Sequence, residues 1–73
     1  MLTRAQVLAD IADAVFAEVD ELSHDTDLVD LGMDSIKLAG LLERWRRAGA
    51  LVRFADLAEN TSVGAWLDFV AAE

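Results

Sequence analysis

The chain has 73 residues, 55% of them hydrophobic, with no proline and no cysteine. A length like this leaves room for one small core near the lower bound for independent folding, and the missing cysteine excludes a disulfide framework, a thiol nucleophile or a cysteine-bound zinc. Six basic against fourteen acidic side chains give a formal net charge of -8, which repels a phosphate backbone and argues against nucleic acid as a partner. No apolar run approaches the ~18 residues of a membrane-spanning helix, and the first residues lack the basic and apolar regions of a signal peptide. The expectation is a soluble, cytoplasmic, monomeric single domain over residues 1–73, with no membrane association.

Thr3-Arg4-Ala5-Gln6 fits a capping box and marks the start of a first helix. Val7, Leu8, Ile11, Ala14, Val15, Val19 and Leu22 follow at spacings of three and four, so they gather into one stripe, and the helix is expected to end between Glu18 and Leu22. Periodicity then lapses from Ser23 to Asp34, a polar stretch dotted with Leu28, Val29, Leu31 and Met33. It is long for an ordered loop in a compact domain, which hints at function. A second helix is predicted from about Ser35 to Ala48, capped by Asp34 or Ser35 and stopped by a left-handed Gly49, with Ile36, Ala39, Leu42 and Trp45 on its buried face. Arg44, Arg46 and Arg47 in its last turn suit the helix dipole, or serve a partner. Phe54, Leu57 and Ala58 suggest a short inward-facing third helix. Thr61 would cap a last helix with Val63, Trp66, Leu67 and Val70 as its stripe. The fold class is therefore all-α, a small bundle of three main helices and one short third helix, with no internal repeat.

Charge is uneven along this plan. Nine acids and a single base, Arg4, precede Ser35, whereas five acids meet five bases from there on. The acidic half reads either as a solvated face or as a surface for basic partner proteins.

Candidate chemistry narrows quickly. The stretch DTDLVDLGMDSI resembles a calcium loop, yet Val29, Asp30 and Ile36 occupy the positions that need a ligand, a glycine and a bidentate glutamate. No metal site is expected. His24 is the only histidine and lies in the polar loop, where an exposed or capping role fits it better than catalysis. Ser35 has no evident base or oxyanion hole, so it is a poor nucleophilic catalyst. It is better placed as a substrate: at the head of a helix, a phosphate ester on its hydroxyl would lie in the favourable field of the N-terminus. Gly32 removes an obstruction and tolerates the turn, and Asp34 either caps the helix or helps hold a divalent cation during transfer.

Gly32-Met33-Asp34-Ser35-Ile36 resembles the phosphopantetheine attachment motif of acyl and peptidyl carrier proteins, Gly-x-Asp-Ser-(Leu/Ile). The likeness covers essentially the whole chain. A finer similarity is to the aryl carrier proteins of siderophore-type nonribosomal peptide synthesis, carried by Arg44-Trp45-Arg46, the stretch from Phe54 to Thr61, and Trp66. Asn60 departs from the pattern, standing where many carriers have proline. The simpler reading of Trp45 and Trp66 is as core residues.

The resemblance implies a non-catalytic carrier. A phosphopantetheinyl transferase would place the phosphopantetheine of coenzyme A on Ser35, with magnesium, so the working thiol would belong to the prosthetic group. An aryl-acid adenylating enzyme would load a hydroxybenzoate-type acid as a thioester, and a condensation enzyme would take it on. Partner contacts are expected at Met33, Ile36, Lys37, Ala39 and Gly40, in the short-lived complexes that suit small interfaces. Two alternatives stay open: a carrier for fatty-acyl, polyketide or aminoacyl cargo, and an unmodified helical interaction module in which Asp34-Ser35 is only a cap.

Overall fold

The computed structural model describes residues 2–71. Its helices are α1 (Arg4–Ala14), α2 (Ser35–Arg47), α3 (Phe54–Glu59) and α4 (Val63–Val70), and two 3-10 turns, Val19–Glu21 and Val29–Leu31, punctuate the long connection between α1 and α2. This is the all-α bundle with a short third helix expected from the sequence. Among the described residues, no helix is long and apolar enough to cross a membrane.

Thr3 starts α1 as expected, its Oγ1 accepting the backbone N–H of Gln6 at 3.1 Å. The helix stops earlier than its apolar stripe implied. Phe16 takes a left-handed φ of 56°, its N–H donates to Asp13 O, and the N–H of Ala17 reaches back to Ala12 O at 2.9 Å. That pair of bonds closes the helix as a Schellman motif. Val7, Ile11 and Val15 are buried, whereas Val19, beyond the stop, is exposed.

Helix α2 ends in the same way with the residue that normally does it. Gly49 has φ 102°, and Gly49 N–H and Ala50 N–H donate to Arg46 O and Trp45 O, both at 3.0 Å. Its buried face is Leu38, Leu41, Leu42 and Trp45. Ile36 and Ala39, expected on that face, point outward instead, and Ile36 is 83% exposed. The helix carries apolar residues on two sides, and only the Leu38 side packs on the core.

α2 packs on α3, α1 packs on α2 and α4, and α3 packs on α4. At the centre, Trp45 and Trp66 meet edge to face with centroids 6.0 Å apart, an arrangement favoured by the ring quadrupoles. Both indoles are fully buried, so each N–H needs a partner: Trp66 Nε1 donates to Leu57 O at 3.0 Å and Trp45 Nε1 to Asp10 Oδ2 at 3.0 Å. The two tryptophans are core residues. In α3, Leu57 alone is buried, while Phe54 and Ala58 turn outward.

The long connection is stitched to the junction of α3 and α4 rather than left free. Leu28 N–H donates to Thr61 O at 2.8 Å, Val63 N–H to Thr26 O at 3.0 Å and Gly64 N–H to His24 O at 2.9 Å. Fully buried Leu28 pins its centre to the core. Thr61 does not cap α4. Its hydroxyl donates to Asp27 Oδ1 at 2.9 Å, and Ser62 provides the cap by accepting the N–H of Ala65. Exposed His24 lays its ring over Gly64, in space that a Cβ there would occupy.

Candidate functional site

The loop anchored by Leu28 delivers its last residues to the head of α2. Met33 N–H donates back to Leu28 O at 3.0 Å and Gly32 N–H to Val29 O at 3.0 Å, which folds the segment into a tight turn. The turn needs a left-handed residue, and Gly32 supplies it with φ 97°. A Cβ at Gly32 would meet nothing within 4 Å, so the approach over this turn is open.

Asp34 is the cap of α2: its Oδ1 accepts the N–H of Lys37 at 2.8 Å. Ser35, the first residue of the helix, is exposed, and its hydroxyl makes no hydrogen bond to any described residue. The amides of the first helical turn have no intrahelical acceptors, and Asp34 engages only that of Lys37. An oxygen anion attached at Ser35 Oγ would meet the remaining N–H groups and the positive end of the dipole. The hydroxyl is thus exposed and, among the described residues, uncommitted. Among the described residues, no base contacts it.

Of the residues expected to touch partners, Ile36, Ala39 and Gly40 are exposed and Lys37 is half-buried. Lys37 leans back over the turn, with Nζ donating to Gly32 O at 3.3 Å and lying 5.5 Å from the Phe16 ring centroid. Met33 is a correction. Only 6% exposed, it is swung under the Gly32 turn by its bond to Leu28, and it joins the core instead of presenting a contact.

Apolar surface surrounds the hydroxyl in a way the sequence reading missed. An open groove of about 230 Å³ beside Ser35 is lined by Val29, Leu38, Phe54, Ala58 and Thr61, with buried Met33 in its wall. Ile36 stands exposed at the helix head, and Phe16, 90% exposed and outside the groove lining, has the Lys37 ammonium over its ring. Phe54 was expected inward; Phe16 belonged to no stripe, and that was its one signal.

Residues 5–70 match the profile of the phosphopantetheine attachment site family. The chain is 45% identical over 64 residues to pyochelin synthetase PchE of Pseudomonas aeruginosa and 42% identical over 64 residues to phenyloxazoline synthase MbtB of a Mycobacterium species. Each alignment takes in 88% of this chain but only 4% and 6% of those proteins. Acyl carrier protein ScoB of Streptomyces coeruleorubidus is 38% identical over 64 residues, which cover 88% of this chain and 75% of that one. No solved structure matches the chain. The exposed hydroxyl and the open turn before it fit a covalently attached arm, and the profile spans the chain from α1 to α4: it belongs to the phosphopantetheine attachment site family of carrier proteins, whose cofactor is phosphopantetheine.

Proposed function

We propose that Ser35 bears the phosphopantetheine arm and that this non-catalytic carrier holds an aryl acid, of the hydroxybenzoate type, as a thioester in nonribosomal siderophore synthesis. The observation that carries the reading is the free, exposed hydroxyl at the head of α2. In the loading step the hydroxyl would lose its proton to the transferase and bond to the phosphorus next to the pantetheine of coenzyme A. The pyrophosphate bond breaks and the nucleotide leaves. Asp34 has one oxygen engaged as cap, which leaves the other to face the magnesium ion that accompanies the donor. When attached, the arm supplies the thiol that the chain lacks.

The aryl cargo is supported by relatives named for a phenyloxazoline and for pyochelin, and by the tryptophan and arginine pattern of α2. An adenylating enzyme would load the acid and a condensation enzyme would remove it. Each must read the surface around the hydroxyl, where Ile36, Lys37, Ala39 and Gly40 are the contact positions. A cytoplasmic setting suits coenzyme A as the donor.

The test is loading. The arm-bearing protein is incubated with ATP and adenylating enzymes selective for hydroxybenzoates, for amino acids or for fatty acids, and its intact mass is followed. The reading expects a hydroxylamine-labile mass gain with the hydroxybenzoate enzyme alone. A gain only with an amino-acid or fatty-acid enzyme would contradict the aryl assignment.

A further inference from the structure

The two long helices end in the same hydrogen-bonded motif, but one end is closed by glycine and the other by phenylalanine. At Gly49 the left-handed φ of 102° carries no steric penalty. At Phe16 the same motif forces a bulky L-residue to φ 56°, a conformation that glycine and asparagine visit readily and bulky side chains rarely do. No burial offsets that cost, because the ring is 90% exposed. A residue strained and solvated at once contributes little to the fold, and its placement needs another reason.

The ring's neighbour points to one. The Phe16 face receives Lys37 Nζ at 5.5 Å, within range of a cation–π contact, and the same ammonium bonds the carbonyl of Gly32, in the turn that presents Ser35. Lys37 has no carboxylate partner among the described residues. An aromatic ring and an uncompensated cation therefore stand together beside the Gly32 turn, Lys37 facing α1 and neither residue lining the Val29 and Phe54 groove. Lys37 lies two residues after Ser35 on α2 and ties the Phe16 ring to the turn that presents the hydroxyl.

We infer that Phe16 and Lys37 form a docking point for the phosphopantetheinyl transferase, the ring entering an apolar pocket and the ammonium pairing with a carboxylate at that pocket's rim. The inference rests on Ser35 being the attachment residue. It assigns a recognition role to the C-terminal stop of α1, beyond the helix that carries the serine.

Initial rates of arm transfer from coenzyme A by a broad-specificity transferase, measured against carrier concentration, test it. The parent is compared with Phe16→Gly, Phe16→Asn and Lys37→Gln, with thermal midpoints recorded in the same buffer. Glycine and asparagine both accept the left-handed backbone, so the Phe16 variants should melt at or above the parent midpoint. Each should raise KM for the carrier about fivefold or more, as expected when an anchoring aromatic is removed, with kcat unchanged and a complete mass gain at the end point. Lys37→Gln should also raise KM, by less when Phe16 is already absent. An unchanged KM in both Phe16 variants overturns the inference, as does a fall in kcat alone, which would place Phe16 in the geometry of the turn. No mass gain in the parent would overturn the reading of Ser35 instead.

Discussion

Asp10 in α1 accepts the indole N–H of Trp45 in α2 at 3.0 Å. Its other oxygen takes Arg44 Nη1 at 3.2 Å, so one carboxylate joins the two helices and satisfies the polar atom of a fully buried tryptophan. Replacing Asp10 by Ala leaves that N–H without an acceptor inside the bundle. The expected loss is about 1–3 kcal/mol, or a thermal midpoint lower by roughly 4–8 °C for each kcal/mol in a domain of this size. Urea unfolding followed by tryptophan fluorescence measures it, and the extent of Ser35 modification in the folded variant should stay complete.

Asp34 combines two roles that substitution can separate. Asn keeps a good cap for the Lys37 N–H but removes the charge, whereas Ala removes both. Asp34→Asn should stay within a few tenths of a kcal/mol of the parent, and Asp34→Ala should lose about 0.5–2 kcal/mol. If the free oxygen faces magnesium as proposed, both variants should accept the arm at least about tenfold more slowly at limiting magnesium. Equal rates in parent and Asp34→Asn would reduce Asp34 to a cap.

His24 and Gly64 should behave as a coupled pair. A Cβ at residue 64 would overlap the imidazole, so Gly64→Ala must displace the ring. With His24 already replaced by Ala, the same change should stabilise the domain by up to about 1 kcal/mol through helix propensity. In the parent that gain should shrink or change sign. A double-mutant cycle in urea reads the difference directly, and strict additivity would show that the ring moves away at no cost.

Leu28 tests whether the long connection is part of the fold. Leu28→Ala opens a cavity under a loop held by the Thr61 and Thr26 backbone bonds, at an expected cost of about 2–5 kcal/mol. Amide exchange should accelerate from residue 23 to residue 33 together with residues 61 to 64, since the two segments share those bonds.

The elements were legible where local chemistry and burial agree. The cap at Thr3, the stop at Gly49 and the α4 stripe each follow from one residue type doing what its chemistry favours. The misses have physical causes. The stop of α1 was invisible because glycine is the expected left-handed residue and phenylalanine stands there. In α2 the apolar residues Ile36, Leu38, Ala39, Leu41 and Leu42 satisfy helical spacing on two faces, so spacing alone could not choose the phase. The face left outside is the one beside Ser35. Thr61 and Ser62 are adjacent hydroxyl residues, each able to cap, and the tertiary partner Asp27 decides between them. Met33 looked like a contact because it sits in the motif, and only the fold of the turn shows that it points inward.

The central claim is that the Ser35 hydroxyl accepts the arm. Intact mass before and after incubation with coenzyme A, magnesium and a broad-specificity phosphopantetheinyl transferase tests it most directly, with Ser35→Ala run alongside and circular dichroism confirming that both proteins are helical. The account predicts a single phosphopantetheine addition in the parent and none in the variant. An unmodified parent, or an addition that persists in Ser35→Ala, would contradict it.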